Sequence, residues 1–444
     1  MSKSSEGIAS FHFGDSVCGW PASASMISIQ LNRYIRPMKT IVVGAGFSGL
    51  SAAYKLHKEG AEAVVLEARD RVGGRVYSKE LSNGEVVEMG GEWIGDDDKL
   101  YHAFIDELGL TKIEVGIDFM VRQVMKGEAI SVDDCIAINR KVNAKLIVYS
   151  EKEKEAMSIQ DMLDQVELSP AHRLLISSRL QTSQGTTLDK VALRIMGGSF
   201  STHDGQSAYY RIDGGNQALA TSLAARSAEV ICNAPVIEIK QDLEGVIVRT
   251  EHDEFLADKV VLSVPVSVIN KIKFTPELPE DIRRAMTVTK LGSGGKLSAV
   301  LTEEPPLLAK QDTDAPYWCW TGQLRDGVRK KAITAFCGSN HALKQLKVGD
   351  YNDNTWFESI QTNCPELQFS GEYIKKDWGE DPWVMGSYTA MDNEAYAAAN
   401  AFSRPFQRIY FSGEHTSPDW SGTMNGALQS GVIAAEQILA GRNE

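Results

Sequence analysis

The stretch that most constrains this chain is Lys39-Thr-Ile-Val-Val43, then Gly44-Ala45-Gly46-Phe47-Ser48-Gly49, then Leu50 to Glu59. The first part is a short β-branched run, which reads as a buried strand. In the last part Leu50, Ala53, Tyr54 and Leu56 fall on one side of a helix. The six residues between them follow the pattern G-x-G-x-x-G. The first glycine permits a tight turn, the second lets backbone approach a pyrophosphate, and the third lets helix and strand pack closely. The helix start then presents unpaired N–H groups and partial positive charge to phosphates. Gly60 stops the helix and Ala63-Val-Val-Leu66 reads as a second parallel strand with Glu67 at its end. A carboxylate there accepts hydrogen bonds from ribose hydroxyls and disfavours a 2′-phosphate. The sequence therefore predicts a βαβ unit that holds a dinucleotide.

At 444 residues the chain suits two or three cores rather than one. Its formal net charge of -13 gives a surface that repels phosphate backbones and anionic lipid headgroups, so neither nucleic acid nor a membrane is an expected partner. No run approaches the roughly 20 apolar residues of a spanning helix. The cysteines, Cys18, Cys135, Cys232, Cys319, Cys337 and Cys364, show no C-x-x-C pair and no zinc spacing. They read as free thiols in a reducing compartment, which makes the cytoplasm the expected location and metal binding unexpected. Residues 1–37 are Ser-rich without a long apolar core, and are expected to be a disordered or misassigned extension, a transit peptide being the alternative.

Further along, Tyr101 to Leu110 reads as an amphipathic helix, and residues 151–198 as mainly helical, with Met157, Met162, Leu163, Val166, Leu174, Leu175 and Leu180 as core. Strand character returns over residues 229–264 and in Lys296 to Leu301. Ile409-Tyr-Phe411, the glycine-rich Gly413 to Gly426, and Ala427 to Leu439 repeat the order strand, loop, helix. The expected fold is α/β, a discontinuous Rossmann-type dinucleotide-binding domain, FAD-binding by the resemblance given below, with a second α+β substrate domain. The cofactor parts are 38–115, 213–275 and 405–444, and the substrate parts 116–212 and 276–404.

Glu67-Ala68-Arg69-Asp-Arg71-Val-Gly73-Gly74-Arg75 follows the second strand. Its glycines allow close passage beside a ligand, while Arg69 and Arg75 can offer planar forks to a diphosphate. Together with Gly44 to Gly49 and Met89-Gly90-Gly91-Glu92-Trp93-Ile-Gly95, this run resembles the N-terminal signature of the flavin-containing amine oxidases, the monoamine oxidase superfamily. The resemblance extends from Met38 to about Leu439, weakest in the middle of the substrate region. It implies that Glu67 and Arg75 serve the adenosine ribose and the phosphates of FAD, with Gly44, Ala45, Gly46, Ser48, Gly49, Ala68, Arg69 and Gly74 around them. It also implies that Gly91, Glu92 and Trp93 run beside the flavin, that the Val236 backbone holds the adenine, and that Glu414, Thr423 and Met424 belong to a second FAD motif.

The family reaction removes hydride from the carbon bearing an amine, and the imine hydrolyses while O2 reoxidises the flavin to give hydrogen peroxide. The partners implied are a small amine and O2; a homodimer is left open. Lys296 matches the family lysine that holds a water near flavin N5, an edge-strand or surface lysine being the alternative. Tyr388 matches one wall of an aromatic cage that orients the amine. The other wall is missing, since Thr423 stands where the monoamine oxidases carry tyrosine; Trp420, or Trp318 with Trp320, are candidates to replace it. Ser387 stands where covalently flavinylated members have cysteine, so the resemblance implies dissociable, non-covalent FAD. Glu92 departs from the small residue of many relatives. Its carboxylate either points into the pocket, to pair with a second cation of a diamine or repel a carboxylate, or bonds to backbone or flavin. An L-amino-acid oxidase, a flavin desaturase and a flavin-binding scaffold without turnover remain as alternatives.

Overall fold

Strand Lys39–Val43 turns Val42 to one side and Ile41 and Val43 to the other, all of them buried. This two-residue period with apolar groups on both faces is the signature of a strand inside a covered parallel sheet. The computed structural model, which describes residues 38–117, 123–124, 130–196, 208–227, 229–324, 326–417 and 420–441, bears this out. The expectation for residues 1–37 lies outside the described residues. Lys39–Val43 is the middle strand of a five-stranded parallel sheet, in the order Ile409–Phe411, Lys259–Leu262, Lys39–Val43, Glu62–Leu66, Glu229–Ile231. Its strands come from stretches far apart in the chain, and the fold class is the expected α/β.

On the Val42 side lie helices Phe47–Lys58, Gln217–Ser227 and Met424–Ala440, which contribute Leu50, Leu56, Leu219, Leu223, Leu428 and Ile438 to one core. On the Ile41 side a four-stranded sheet, Glu254–Ala257, Val246–Thr250, Val236–Gln241 and Lys273–Thr275, packs Val246, Val248 and Ile239 against Ile41, Val64 and Leu66.

A six-stranded sheet runs Phe369–Asp377, Gly295–Leu301, Arg329–Cys337, Tyr317–Gln323, Ala309–Asp312, Gln123–Val124. One face, with Leu297, Ala299, Ile333 and Ala335, packs on Trp356 and Ile360 of helix Thr355–Asn363. The alternate residues face the opposite way. They form two cross-strand rows, Lys296 with Phe336 and Trp318, then Ser298 with Thr334 and Trp320.

The region expected to be helical is built from Glu151–Lys154, Ile159–Leu163 and Pro170–Gln184. Helix Val132–Leu146 precedes them, and the sequence reading passed over it. Its signal was a capping box: Ser131 and Asp134 bond reciprocally, as do Ser150 with Glu153 and Ser158 with Asp161. Leu174, expected in the buried stripe, is exposed, whereas Met162, Leu163, Leu175 and Leu180 are buried. No helix among the described residues is long and apolar enough to cross a membrane.

Helix Met424–Ala440 crosses helix Phe47–Lys58 at Gly431, where an added Cβ would stand 2.0 Å from the Ser48 carbonyl oxygen. Gly431→Ala must push the helices apart, and overpacking of this kind costs about 1–3 kcal/mol. The expected result is a lower denaturation midpoint with an unchanged denaturant slope. An unchanged midpoint would show that the contact is not tight.

Candidate active site

The strands of the parallel sheet end together, and the residues just beyond their carboxyl ends line one cleft. Val43 ends the first strand and Gly44 follows it, Leu66 ends the second and Glu67 follows it, Ser263 to Pro265 follow the Lys259–Leu262 strand, and Gly413 and Glu414 the last. Open α/β sheets place ligands at this edge.

The turn at Gly44 has φ of +105°, which only glycine adopts without strain. At Gly46 an added Cβ would meet nothing within 4 Å, so the backbone is open to the cleft there. Gly46 is also the N-cap of helix Phe47–Lys58 and carries no capping side chain, which leaves the first N–H groups of the helix available to an anion. Glu67 is buried, and its two carboxylate oxygens accept from the backbone N–H of Ala45 at 2.7 Å and of Arg69 at 2.9 Å. These bonds fix its direction before any ligand arrives.

The expected arginine forks are already engaged. Arg75 Nη1 donates to Glu414 Oε1 at 2.7 Å and to the Ser387 carbonyl at 2.8 Å, and Arg69 Nη2 donates to Asp381 Oδ1. Burial works against the charge on Glu414, but Arg75, with His415 and hydrogen bonds, outweighs it and holds the carboxyl below its ordinary range. Glu414 Oε2 accepts from the Gly422 N–H at 2.8 Å, which joins the C-terminal loop to the same cluster.

At the other end of the cleft stand Lys296, Phe336, Ser387 and Tyr388. Tyr388 donates its hydroxyl to the Ser183 carbonyl at 2.6 Å, which anchors the ring, and burial pushes that hydroxyl above its usual range. Ser387 Oγ is buried with no hydrogen-bond partner.

Of the residues singled out in the sequence, Gly44, Gly46, Ser48, Glu67, Ala68, Arg69, Gly74, Arg75, Gly91, Lys296, Val236, Tyr388, Glu414, Thr423 and Met424 line this cleft. Ala45 and Gly49 lie behind it, the first bonded to Glu67 and the second against Gly44. Glu92 and Trp93 do not line it either. Glu92 is 4% exposed and paired with Lys296, and Trp93 stacks on Trp318 with ring centroids 5.3 Å apart. Trp318, Trp320 and Trp420 are likewise absent from the lining. The reading missed Ser263 to Pro265, Val268, Ile272, Trp378 and Phe336. The first three could have been found from their place after a parallel strand. Phe336 could not, because only the strand register sets it beside Lys296. Among the described residues no group of three His, Cys, Asp or Glu side chains could hold a metal.

Residues 47–439 match the family of flavin containing amine oxidoreductases. The chain belongs to that family. It is an enzyme that oxidises amines with a flavin cofactor, and the open backbone at Gly46 and the oriented Glu67 carboxylate of the cleft fit such a group. Among its relatives, flavin-containing amine oxidase A of Sus scrofa is 24% identical, with 90% of this chain and 84% of that protein covered. Flavin-containing amine oxidase B of Homo sapiens is 25% identical over 90% and 85% of the two chains. Nicotine dehydrogenase of Pseudomonas putida is 26% identical over 90% and 87%. The fold is shared with putrescine oxidase bound to putrescine, at a TM-score of 0.77 and 22% identity over 91% of this chain and 99% of that one. It is shared equally with cyclohexylamine oxidase of Brevibacterium oxydans, at 0.78 and 20% over 92% and 100%.

In this amine oxidoreductase His415 lies directly behind Glu414, its ring edge-on to Phe402 at 5.2 Å. Burial lowers its pKa from 6.5 to about 4. Because the folded value is depressed, the stability that His415 contributes is complete above pH 6.5 and is lost as pH falls towards about 4. The thermal midpoint should therefore drop across that window, and His415→Gln should flatten the drop. Parallel curves for the two proteins would assign the acid sensitivity elsewhere.

Proposed function

We propose that the cleft holds FAD without a covalent bond and that the chain oxidatively deaminates a primary or secondary amine, with O2 as electron acceptor and hydrogen peroxide as product. The observation that supports this most is the meeting, in one cleft, of the Gly46 helix start, the Glu67 carboxylate, the Glu414 loop, Lys296 and Tyr388. These come from stretches of chain up to some hundreds of residues apart, and each has a place in binding or orienting a dinucleotide and an amine.

The residues that would hold the group are the N–H groups at Gly46 to Ser48 for the diphosphate, Glu67 for the ribose, the Ala234 to Val236 backbone for the base, and Glu414 with Thr423 and Met424 at the far end. When bound, the flavin supplies the hydride acceptor. The protein supplies orientation and charge. Tyr388, pinned through its hydroxyl to Ser183, presents one aromatic face to an amine. Lys296 puts a cation at the cleft wall, fit to hold a water. Ser387 carries no thiol for a thioether, which supports a dissociable cofactor. We assign 38–115, 213–275 and 405–444 to the cofactor domain, and 116–212 and 276–404 to the substrate domain.

Amine oxidation is favoured over amino-acid oxidation because, among the described residues, the arginines that line the cleft, Arg69 and Arg75, are each committed to a carboxylate. An anaerobic panel of benzylamine, putrescine, leucine and phenylalanine distinguishes the two. One of the amines should bleach the yellow protein, and air should restore the colour with release of peroxide. Bleaching by the amino acids alone would transfer the activity to them, and no bleaching by any compound would remove the proposal. Lys296→Met should slow turnover by about 10²-fold, the scale of losing one preorganised charged donor.

A further inference from the structure

Lys296 is the second residue of strand Gly295–Leu301, which is paired on both sides, and is 5% exposed. A cation so placed is costly unless it is paired and hydrogen-bonded. The partner is Glu92, which belongs to the loop after strand Val86–Glu88: Lys296 Nζ donates to Glu92 Oε2 at 2.5 Å. Trp320 Nε1 donates to the other carboxylate oxygen at 3.1 Å, and the Trp320 ring lies 5.0 Å from the same Nζ. The loop itself is tied down. Asn216 Nδ2 donates to the Glu92 carbonyl at 2.7 Å, while the Asn216 backbone N–H donates to Glu88 Oε1 at 2.7 Å. Behind the pair stand the buried charges of Glu88, Arg211 and Lys330, the last donating to the Val86 carbonyl. Only Lys296 of this group reaches the cleft.

We propose that Glu92 is a positioning residue for amine oxidation: it holds the Lys296 side chain as an ammonium at one fixed point of the cleft wall. The proposal rests on the amine-oxidase reading of the cleft. It assigns to Glu92 a task other than recognition of a second charge on the substrate, because both of its oxygens are occupied and it lies behind Lys296. Trp320 makes the placement unique. With its N–H on one oxygen and its ring beside the ammonium, it leaves the carboxylate a single orientation in which both bonds are made. In Glu92→Gln the same buried lysine loses its counter-charge, and burial then favours the uncharged amine.

The test is carbamylation of Lys296 by potassium cyanate, followed by peptide mass spectrometry over a range of pH on the full-length, flavin-loaded protein. Cyanate is small and reacts with the unprotonated amine. Wild type should label slowly. Glu92→Gln should label at least about tenfold faster, the effect of one unit of titration shift, with its pH profile displaced to lower pH. Trp320→Phe keeps the ion pair and should fall between them. Identical rates and profiles for wild type and Glu92→Gln would overturn the proposal. If Glu92→Gln does not fold, the double variant Glu92→Gln with Lys296→Met decides. A folded double variant supports the pairing, and an unfolded one shows that Glu92 serves the scaffold alone. No amine enters this labelling, so its outcome is independent of the substrate panel.

Discussion

Helix Phe47–Lys58 can begin where it does only because position 49 has no side chain. A Cβ there would lie 2.0 Å from the Gly44 carbonyl oxygen and 2.5 Å from Ser263 Oγ. That single close approach seats the helix on the middle strand of the parallel sheet and aims its uncapped start at the cleft. The other edges of the site are built on the same sheet. Glu67 ends the neighbouring strand, and Ser263 and Glu414 follow the two strands on the opposite side. A helix displaced by even a methyl group would move its uncapped N–H groups away from all of them.

The second organising feature is a set of partly or fully buried ion pairs that stitch distant segments around the cleft: Arg75 with Glu414, Arg69 with Asp381, and Lys296 with Glu92. Pairs of this kind return little net stability, because desolvation offsets most of the attraction. Their value here is placement. Each fixes a charged side chain in the cleft wall before a ligand is bound, and preorganised charge is what a site needs where charge develops during reaction. The six-stranded sheet contributes in the same way, since its alternation turns Lys296 and Phe336 to the same side as Trp320, which bonds Glu92, and Trp318, which stacks on Trp320.

The parts of this arrangement carried by local chemistry were legible in the sequence. The glycine turn, the acidic strand tip at Glu67, and the strand, loop and helix from Ile409 onward each have a short-range physical reason, and the structure puts them along one cleft. The partners of the charges were not legible. Lys296 as a lone lysine in a strand pattern signalled an unusual cation, yet its carboxylate lies 204 positions earlier, and nothing at Glu92 distinguishes a residue facing the pocket from one facing away. The two arginines were read as phosphate forks for the same reason, since Asp381 and Glu414 are each more than 300 positions away. Leu174 fell into a helical stripe whose period could not tell a core face from its rim. Helix Val132–Leu146 was missed although its Ser131 and Asp134 capping box was present to be read.

The proposed site, at the carboxyl edge of the parallel sheet, would bind one flavin dinucleotide by backbone and carboxylate contacts, with no bond to the chain. Acid precipitation of the purified protein, with mass identification of the soluble chromophore, addresses it directly. One equivalent of FAD is expected in the supernatant, with a colourless pellet. A yellow pellet would contradict the dissociable cofactor, and a protein that stays colourless in excess FAD would contradict the site itself.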